Sequence, residues 1–157
     1  MNIFEKRKIL RAQLDLNIKS LEKSIDALSY SYEKCRDIGE KKEYSPGEQE
    51  KFEALTSRFA RTSDILTQKV LKTVFILLQE NVRTIIDAAN LLEKLEIIEL
   101  ADDLLNIREL RNQIAHEYQM TELNSLFMDV LKYVPELKKI INELKKYLKE
   151  VFAASVK

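Results

Sequence analysis

A near-regular seam of apolar residues close to the start of the chain constrains the fold more than any other feature. Its members recur at spacings of three and four residues: Leu10, Leu14, Ile18, Leu21, Ile25, Leu28 and Tyr32. That spacing keeps the apolar side chains on one face of a helix, as in antiparallel bundles and coiled coils. The pattern therefore predicts a long first helix that packs one face against other helices.

The small number of glycine and proline residues argues against most folds other than a helical one. The 157 residues include only two Gly and two Pro, fewer than the turns of a strand-rich fold require. Hydrophobic residues make up 45% and charged residues 33%, a mixture typical of long helices. The length suits one domain. We predict an all-α, antiparallel up-and-down bundle of about five helices over residues 1–157, and we expect it to dimerise through helices.

The first half of the chain contains the clearest loop. Residues 36–48 combine Gly39, several charges and a Tyr-Ser-Pro-Gly turn, and we expect this segment to be flexible. Ser45 and Pro46 suit the start of a second helix. From Val70 onward that helix is apolar on most sides, which predicts burial all round. Its apolar stripe is Phe52, Leu55, Phe59, Thr62, Leu66, Val70, Thr73 and Leu77.

The second half predicts three more helices. The pattern changes phase around residues 80–82, and a third helix then covers Ile85 to Leu95. A fourth is expected from about Ile97 to Tyr118 and a fifth from near Thr121. Pro135 is expected to kink or restart the fifth, because proline removes a helical hydrogen bond.

Charge and cysteine content limit the partners that the protein is expected to bind and the compartment in which it is expected. Lys plus Arg and Asp plus Glu both number 26, so an RNA partner would need a local basic patch. A single cysteine, Cys35, excludes an internal disulfide. No apolar run is long enough for a signal peptide or a bilayer span, so we expect a cytoplasmic protein without a membrane partner. Eight basic residues of the second and last helices can form either a solvated face or a basic track for RNA, and a solvated face is favoured: Arg58, Arg61, Lys69, Lys72, Lys138, Lys139, Lys145 and Lys146.

One arginine interrupts the apolar stripe of the fourth helix. At about 100° per residue, Arg111 falls in the middle of that stripe. The stripe consists of Leu100, Leu104, Ile107, Ile114 and Tyr118. A buried guanidinium without a partner is very costly. Either a carboxylate such as Asp64 meets it, or this part of the helix faces an open cleft or another subunit.

The opposite side of the same helix carries Ile98, Leu105, Asn112 and His116. On a straight helix, Arg111 and His116 project about 140° apart. A site that uses both needs the long arginine arm, a helix that ends near Ala115, or two chains across a two-fold axis. We favour two chains, because a two-fold axis brings two copies of one surface together.

The segment Arg111-Asn112-Gln113-Ile114-Ala115-His116-Glu117-Tyr118 resembles the Arg-x4-His-x-Tyr signature of HEPN domains. The resemblance is to HepT-like toxins in particular, which are short all-α proteins encoded beside an MntA-type nucleotidyltransferase. The helix layout agrees across the chain: two long helices come first, and the motif lies late in the fourth. The motif itself covers eight residues.

This resemblance implies a function and a role for each motif residue. HepT-like toxins are metal-independent endoribonucleases of type VII-like toxin–antitoxin pairs, active as homodimers or higher even oligomers with the motif at the subunit interface. By resemblance, Arg111 holds the scissile phosphate, His116 transfers protons, Asn112 orients phosphate or base, and Tyr118 accepts AMP from the partner nucleotidyltransferase antitoxin. The RNA substrate would be transfer RNA or messenger RNA, and no metal or cofactor is expected.

Other interpretations of the same residues stay open. A single histidine on a helix is often structural, Arg111 can pair with a carboxylate, and Tyr118 can be a core tyrosine with its hydroxyl at the rim. Asn112 can be a plain polar surface or interface residue. The chain could then be a non-enzymatic subunit that binds nucleotide or substrate for a nucleotidyltransferase. A helical interaction module that assembles through the first helix is a third alternative.

Overall fold

A computed structural model describes residues 1–116 and 120–153, without the side chains of 120–122 and 153. The described residues are helical and contain no strand. The helices are α1 (Ile3–Ile38), α2 (Pro46–Asp64), α3 (Leu71–Leu77), α4 (Ile85–Lys94), α5 (Ala101–Ala115) and α6 (Met120–Ala153). A π-helical segment, Ile65–Val70, joins α2 to α3 without a break, so the described chain forms five continuous helices.

Side-chain caps explain where the helices begin. The side chains of Asn2, Ser45 and Thr84 each accept a hydrogen bond from the amide three residues later, and the carboxylate of that later residue accepts one from the amide of the capping residue. Such capping boxes satisfy amides that have no partner inside the helix. Pro46 occupies the first turn of α2, as predicted. Residues 36–38 are still helical, so the connection between α1 and α2 is shorter than the predicted loop.

Contacts between α1 and its neighbours set the helix directions. Hydrogen-bonded pairs link successively later residues of α2 and α3 to successively earlier residues of α1. The pairs are Arg58 with Ser31, Thr62 with Ser24, Thr73 with Asn17, and Leu77 with Arg7. Lys145 and Phe152 of α6 likewise contact Glu22 and Arg11 of α1. Helix α1 therefore runs antiparallel to α2–α3 and to α6, which confirms the predicted long helix and its packing face.

The π-helical segment coincides with an irregularity in the apolar stripe. The stripe repeats at three and four residues, but Thr62, Leu66 and Val70 follow one another at two successive steps of four. A π turn takes up one extra residue. All three side chains therefore stay buried, at 0% exposure. The extra residue keeps α3 in register with α1 and also rotates Asp64 relative to the residues that follow it.

An aromatic cluster closes the end of the bundle near the α1–α2 connection. Phe52 stacks on Phe127 with ring centroids 4.8 Å apart, and Tyr44 packs against both rings. The Tyr44 hydroxyl donates to the Gly39 carbonyl at 3.0 Å and accepts the Lys41 amide at 3.1 Å. These contacts hold the connection against the core.

Several details differ from the predictions. Helix α5 begins at Ala101, four residues later than predicted, and Leu100 is its N-cap with 59% exposure, so it is not part of a buried stripe. Helix α6 continues through Pro135 without restarting. Helix α3 is not buried all round, because Lys72 is exposed and Ile76 is 57% exposed.

Candidate functional site

Arg111 is held by a carboxylate on the neighbouring helix. Its Nε and Nη2 atoms donate to Oδ1 and Oδ2 of Asp64 at 2.7 and 2.8 Å, a bidentate ion pair between α5 and α2. The side chains are 28% exposed for Arg111 and 35% exposed for Asp64. The guanidinium is therefore paired, but it is not sealed in the interior. The carboxylate alternative named from the sequence is the arrangement that the structure has.

The pair leaves part of the guanidinium available. The hydrogen bonds that Arg111 donates to Asp64 raise the pKa of Arg111, while partial burial acts in the opposite direction with smaller effect. A guanidinium has five N–H donors, and Asp64 accepts from two nitrogens on one edge. Among the described residues, no other group accepts from Arg111. The Nη1–Nη2 edge can therefore bind an oxyanion while Asp64 fixes the orientation of the group.

Asp64 lies at the junction between an α-helix and a π-helical segment. It is the last residue of α2, and the π-helical segment begins at the next residue. Arg108, one turn before Arg111 on α5, also approaches the same carboxylate, with Nη1 3.7 Å from Oδ1. One carboxylate thus faces two guanidinium groups, which leaves an excess of positive charge on this part of the surface.

The burial pattern of α5 shows which side of the helix faces the core. Leu104, Ile107 and Leu110 are the buried residues of this helix, and they turn its apolar face into the core. At about 100° per residue, Arg111 falls between Leu104 and Ile107 on the helix wheel, yet its side chain, close to the C-terminal end of α5, remains 28% exposed. Asn112 is half-buried. Three predicted members of the stripe (Leu104, Ile107 and Ile114) pack in or against the core.

His116 marks the end of α5. The helix ends at Ala115, and His116 is the C-cap with φ −83° and ψ 154°, so the backbone turns away there. Its amide donates to the Gln113 carbonyl at 3.2 Å, and its side chain is exposed. A helix ending near Ala115 was one of the three arrangements left open by the sequence. Tyr118, the predicted acceptor of AMP, lies outside the described residues.

The basic residues outside the motif have varied surroundings. Arg58 donates to the Ala27 carbonyl and to Ser31 Oγ, so it ties α2 to α1 and is not part of an open basic track. Lys145 and Lys146 pair with Glu22 and Glu143. Arg108 was not singled out from the sequence, although its position three residues before Arg111 places it on the same side of the helix.

Two other kinds of site are absent from the part of the chain that the structure describes. Within residues 1–116 and 120–153, no group of three or more His, Cys, Asp or Glu side chains is placed to hold a metal ion. In the same part of the chain, no helix combines the length and apolar character that crossing a bilayer requires.

Comparison with known proteins gives no match for this chain among family models, curated proteins or solved structures. The fold and the geometry around Arg111 therefore define an all-α bundle with a carboxylate-oriented arginine at its surface. The resemblance to HEPN domains rests on the Arg-x4-His-x-Tyr segment and on the order of the helices.

Proposed function

We propose that this protein is a metal-independent endoribonuclease toxin of the HEPN type, with Arg111 and His116 as its catalytic residues. The observation that carries the proposal is the bidentate Asp64–Arg111 pair. The pair orients the guanidinium through two of its nitrogens, and the Arg111 side chain is 28% exposed. The proposed proton-transfer group, His116, is exposed at the end of the same helix.

The proposed reaction needs only groups that this chain and the RNA supply. One imidazole removes the proton from a ribose 2′-hydroxyl, and the 2′-oxygen attacks the adjacent phosphorus. The bond from phosphorus to the 5′-oxygen breaks, and a second, protonated imidazole donates a proton to that oxygen. The products are a 2′,3′-cyclic phosphate and a 5′-hydroxyl. Arg111 binds the non-bridging oxygens and stabilises their developing charge.

The single histidine of the chain favours a site built from two subunits. General acid–base cleavage uses one group to accept a proton and another to donate one, and His116 is the only imidazole available per chain. A two-fold axis near the end of α5 brings two copies of His116 and two of Arg111 to one cleft. The proposed active form is accordingly a homodimer or a higher even oligomer.

Regulation by a partner belongs to the same proposal. An MntA-like nucleotidyltransferase transfers AMP from ATP to the hydroxyl of Tyr118, two residues after His116 in the motif, and pyrophosphate leaves. The added phosphate carries negative charge beside a site that binds the phosphates of RNA, so it competes for Arg111 and repels the substrate. Support for this step comes from the position of Tyr118 in the motif alone.

Cleavage of a labelled RNA in excess EDTA tests the nuclease activity. We expect the parent to cut the RNA, and Arg111→Ala and His116→Ala to lose the activity while they keep the helical circular dichroism of the parent. Arg61→Ala is the matched control, because it removes an exposed arginine from α2 that makes no ion pair within the described residues. If both motif variants cut as fast as the parent, the assignment is wrong.

A second candidate is a non-enzymatic subunit that binds nucleotide or substrate for a nucleotidyltransferase. The specific observation in its favour is that Arg111 already has a carboxylate partner, as a structural arginine often does. Expression in bacteria separates the two candidates. The toxin arrests growth, and His116→Ala relieves the arrest. A binding subunit leaves growth unchanged and binds nucleotide or its partner without cutting RNA.

A further inference from the structure

A cavity of about 480 Å³ lies on the surface beside Arg108, which also approaches Asp64. Its walls come from four parts of the chain: the π segment with α3, the connection before α4, the first turn of α4, and Arg108 of α5. The residues that matter for its chemistry are Lys72, Phe75, Ile76, Glu80, Arg83 and Arg108.

The cavity is positively charged in a chain of zero net charge. Lys72, Arg83 and Arg108 contribute three cations, against the single carboxylate of Glu80. Lys72 and Arg83 are exposed, and neither forms an ion pair with any residue that the structure describes. Ligand oxyanions could therefore bind these two cations without breaking an existing pair.

The cavity also has an apolar surface. Phe75 and Ile85 form part of its wall, and Ile76, which is 57% exposed, lies one turn after Lys72 on the same side of α3. An apolar surface beside two unpaired cations suits a ligand that combines a flat, weakly polar ring with a phosphate. A nucleotide of single-stranded RNA has both parts.

Arg108 joins the cavity to the proposed catalytic surface. It lines the cavity, and its Nη1 atom lies 3.7 Å from the carboxylate that holds Arg111. Three residues of an α-helix rise by about 4.5 Å, so Arg108 and Arg111 are one turn apart on α5. A strand whose scissile phosphate binds Arg111 can therefore continue past Arg108 into the cavity.

We infer that this cavity is a subsite for single-stranded RNA that binds the phosphate and base of a nucleotide flanking the cleaved bond. Lys72 and Arg83 bind the phosphate, and Ile76 contacts the base. The inference rests on the proposed function, since it assigns a second contact to the same substrate. It places the determinants of strand binding on residues outside the motif.

The test compares charge removal at the cavity with equal charge removal elsewhere. Binding of a fluorescent 2′-O-methyl RNA, which lacks the attacking hydroxyl, is measured by anisotropy over a range of salt concentrations. The cavity variant is Lys72→Ala/Arg83→Ala. The matched control is Lys138→Ala/Lys149→Ala, which removes two charges from a lysine-lined groove on α6. Single variants Lys72→Gln and Arg83→Gln serve as milder versions of the cavity change.

We expect the cavity variant to bind at least tenfold more weakly and the control to bind like the parent. Lys72 and Arg83 bind one phosphate, and each phosphate contact adds about 0.7 to the magnitude of the slope of log K against log salt for single strands, so that magnitude should fall by about 0.7. An Ile76→Ser variant, which removes the apolar contact without adding a charge, should weaken binding without a loss of slope of that size.

The outcomes separate this subsite from the proposed function. If the parent cuts RNA but the cavity variant binds as tightly as the parent, the subsite is wrong and the nuclease assignment stands. If the parent binds RNA through Lys72 and Arg83 but never cuts it, the subsite stands and the nuclease assignment fails. A parent that neither binds nor cuts RNA overturns both.

Discussion

Replacing Asp64 by asparagine tests how Arg111 is held. Asparagine has nearly the same shape as aspartate, but it is neutral, and only one of its two side-chain polar atoms is an acceptor. The change removes the charge from the pair and one of the two hydrogen bonds to Arg111, at 2.7 and 2.8 Å. Arg111 itself remains in the chain, so any effect on cleavage reports its orientation.

The expected cost in stability is modest because water screens the pair. With side chains 28% and 35% exposed, the contribution is closer to that of a surface ion pair than to that of a buried one. A bidentate geometry places it at the upper end of the surface range, so we expect Asp64→Asn to lower the free energy of unfolding by about 1 kcal/mol. For a chain of this size, Tm should fall by about 2–4 °C.

Urea unfolding and cleavage kinetics measure the two effects separately. A double-mutant cycle with Arg111→Gln should give a coupling energy of about 0.5–1 kcal/mol between the two side chains. In the cleavage assay, kcat should fall about tenfold with little change in KM, because a free guanidinium spends less time in the productive orientation. Asp26→Asn, an exposed carboxylate of α1, is the control and should change neither quantity.

Two results would refute this reasoning. A coupling energy of zero would show that Asp64 and Arg111 do not pair in solution. Faster cleavage by Asp64→Asn would show that the carboxylate competes with the phosphate for Arg111 and does not orient it.

Three further predictions concern the fold. Phe52→Ala should lower the free energy of unfolding by about 3–5 kcal/mol in urea, because this ring is 0% exposed and stacks in the aromatic cluster; a loss below 1 kcal/mol would contradict that packing. Gln79→Gly should raise it by about 0.5–1 kcal/mol, since residue 79 has φ 58°, which glycine adopts without strain; an unchanged or lower stability would argue against that conformation. Burial raises the pKa of the Cys35 thiol to about 11, so alkylation by iodoacetamide near pH 8 should be about a hundredfold slower in the native protein than in urea, and equal rates would contradict its burial.

The sequence predicted the elements whose signals are local. The apolar seam of α1 and the Ser45-Pro46 start of α2 need only short-range rules, and the structure has both. The ends of α3 and α4 were harder to place. Gln79 and Glu96 adopt positive φ, and the next amides donate back to Phe75 and Leu92, a helix ending usually marked by glycine. Because neither residue is a glycine, little in the sequence indicated where these two helices end.

The surroundings of Arg111 were predictable only as alternatives. Periodicity placed the arginine near an apolar stripe, but it could not decide between a carboxylate, a cleft and another subunit. That choice depends on Asp64, which is 47 residues away and is positioned by the start of the π segment. The cavity was missed for the same reason, since Lys72, Arg83 and Arg108 meet only after the chain has turned twice.

Analysis of the RNA ends produced in excess EDTA tests the proposed catalytic role of Arg111 and His116 most directly. The account predicts a 2′,3′-cyclic phosphate and a 5′-hydroxyl at every cut, and no cut at a position where the ribose carries a 2′-O-methyl group. Products with a 3′-hydroxyl and a 5′-phosphate, or cleavage that EDTA abolishes, would contradict it.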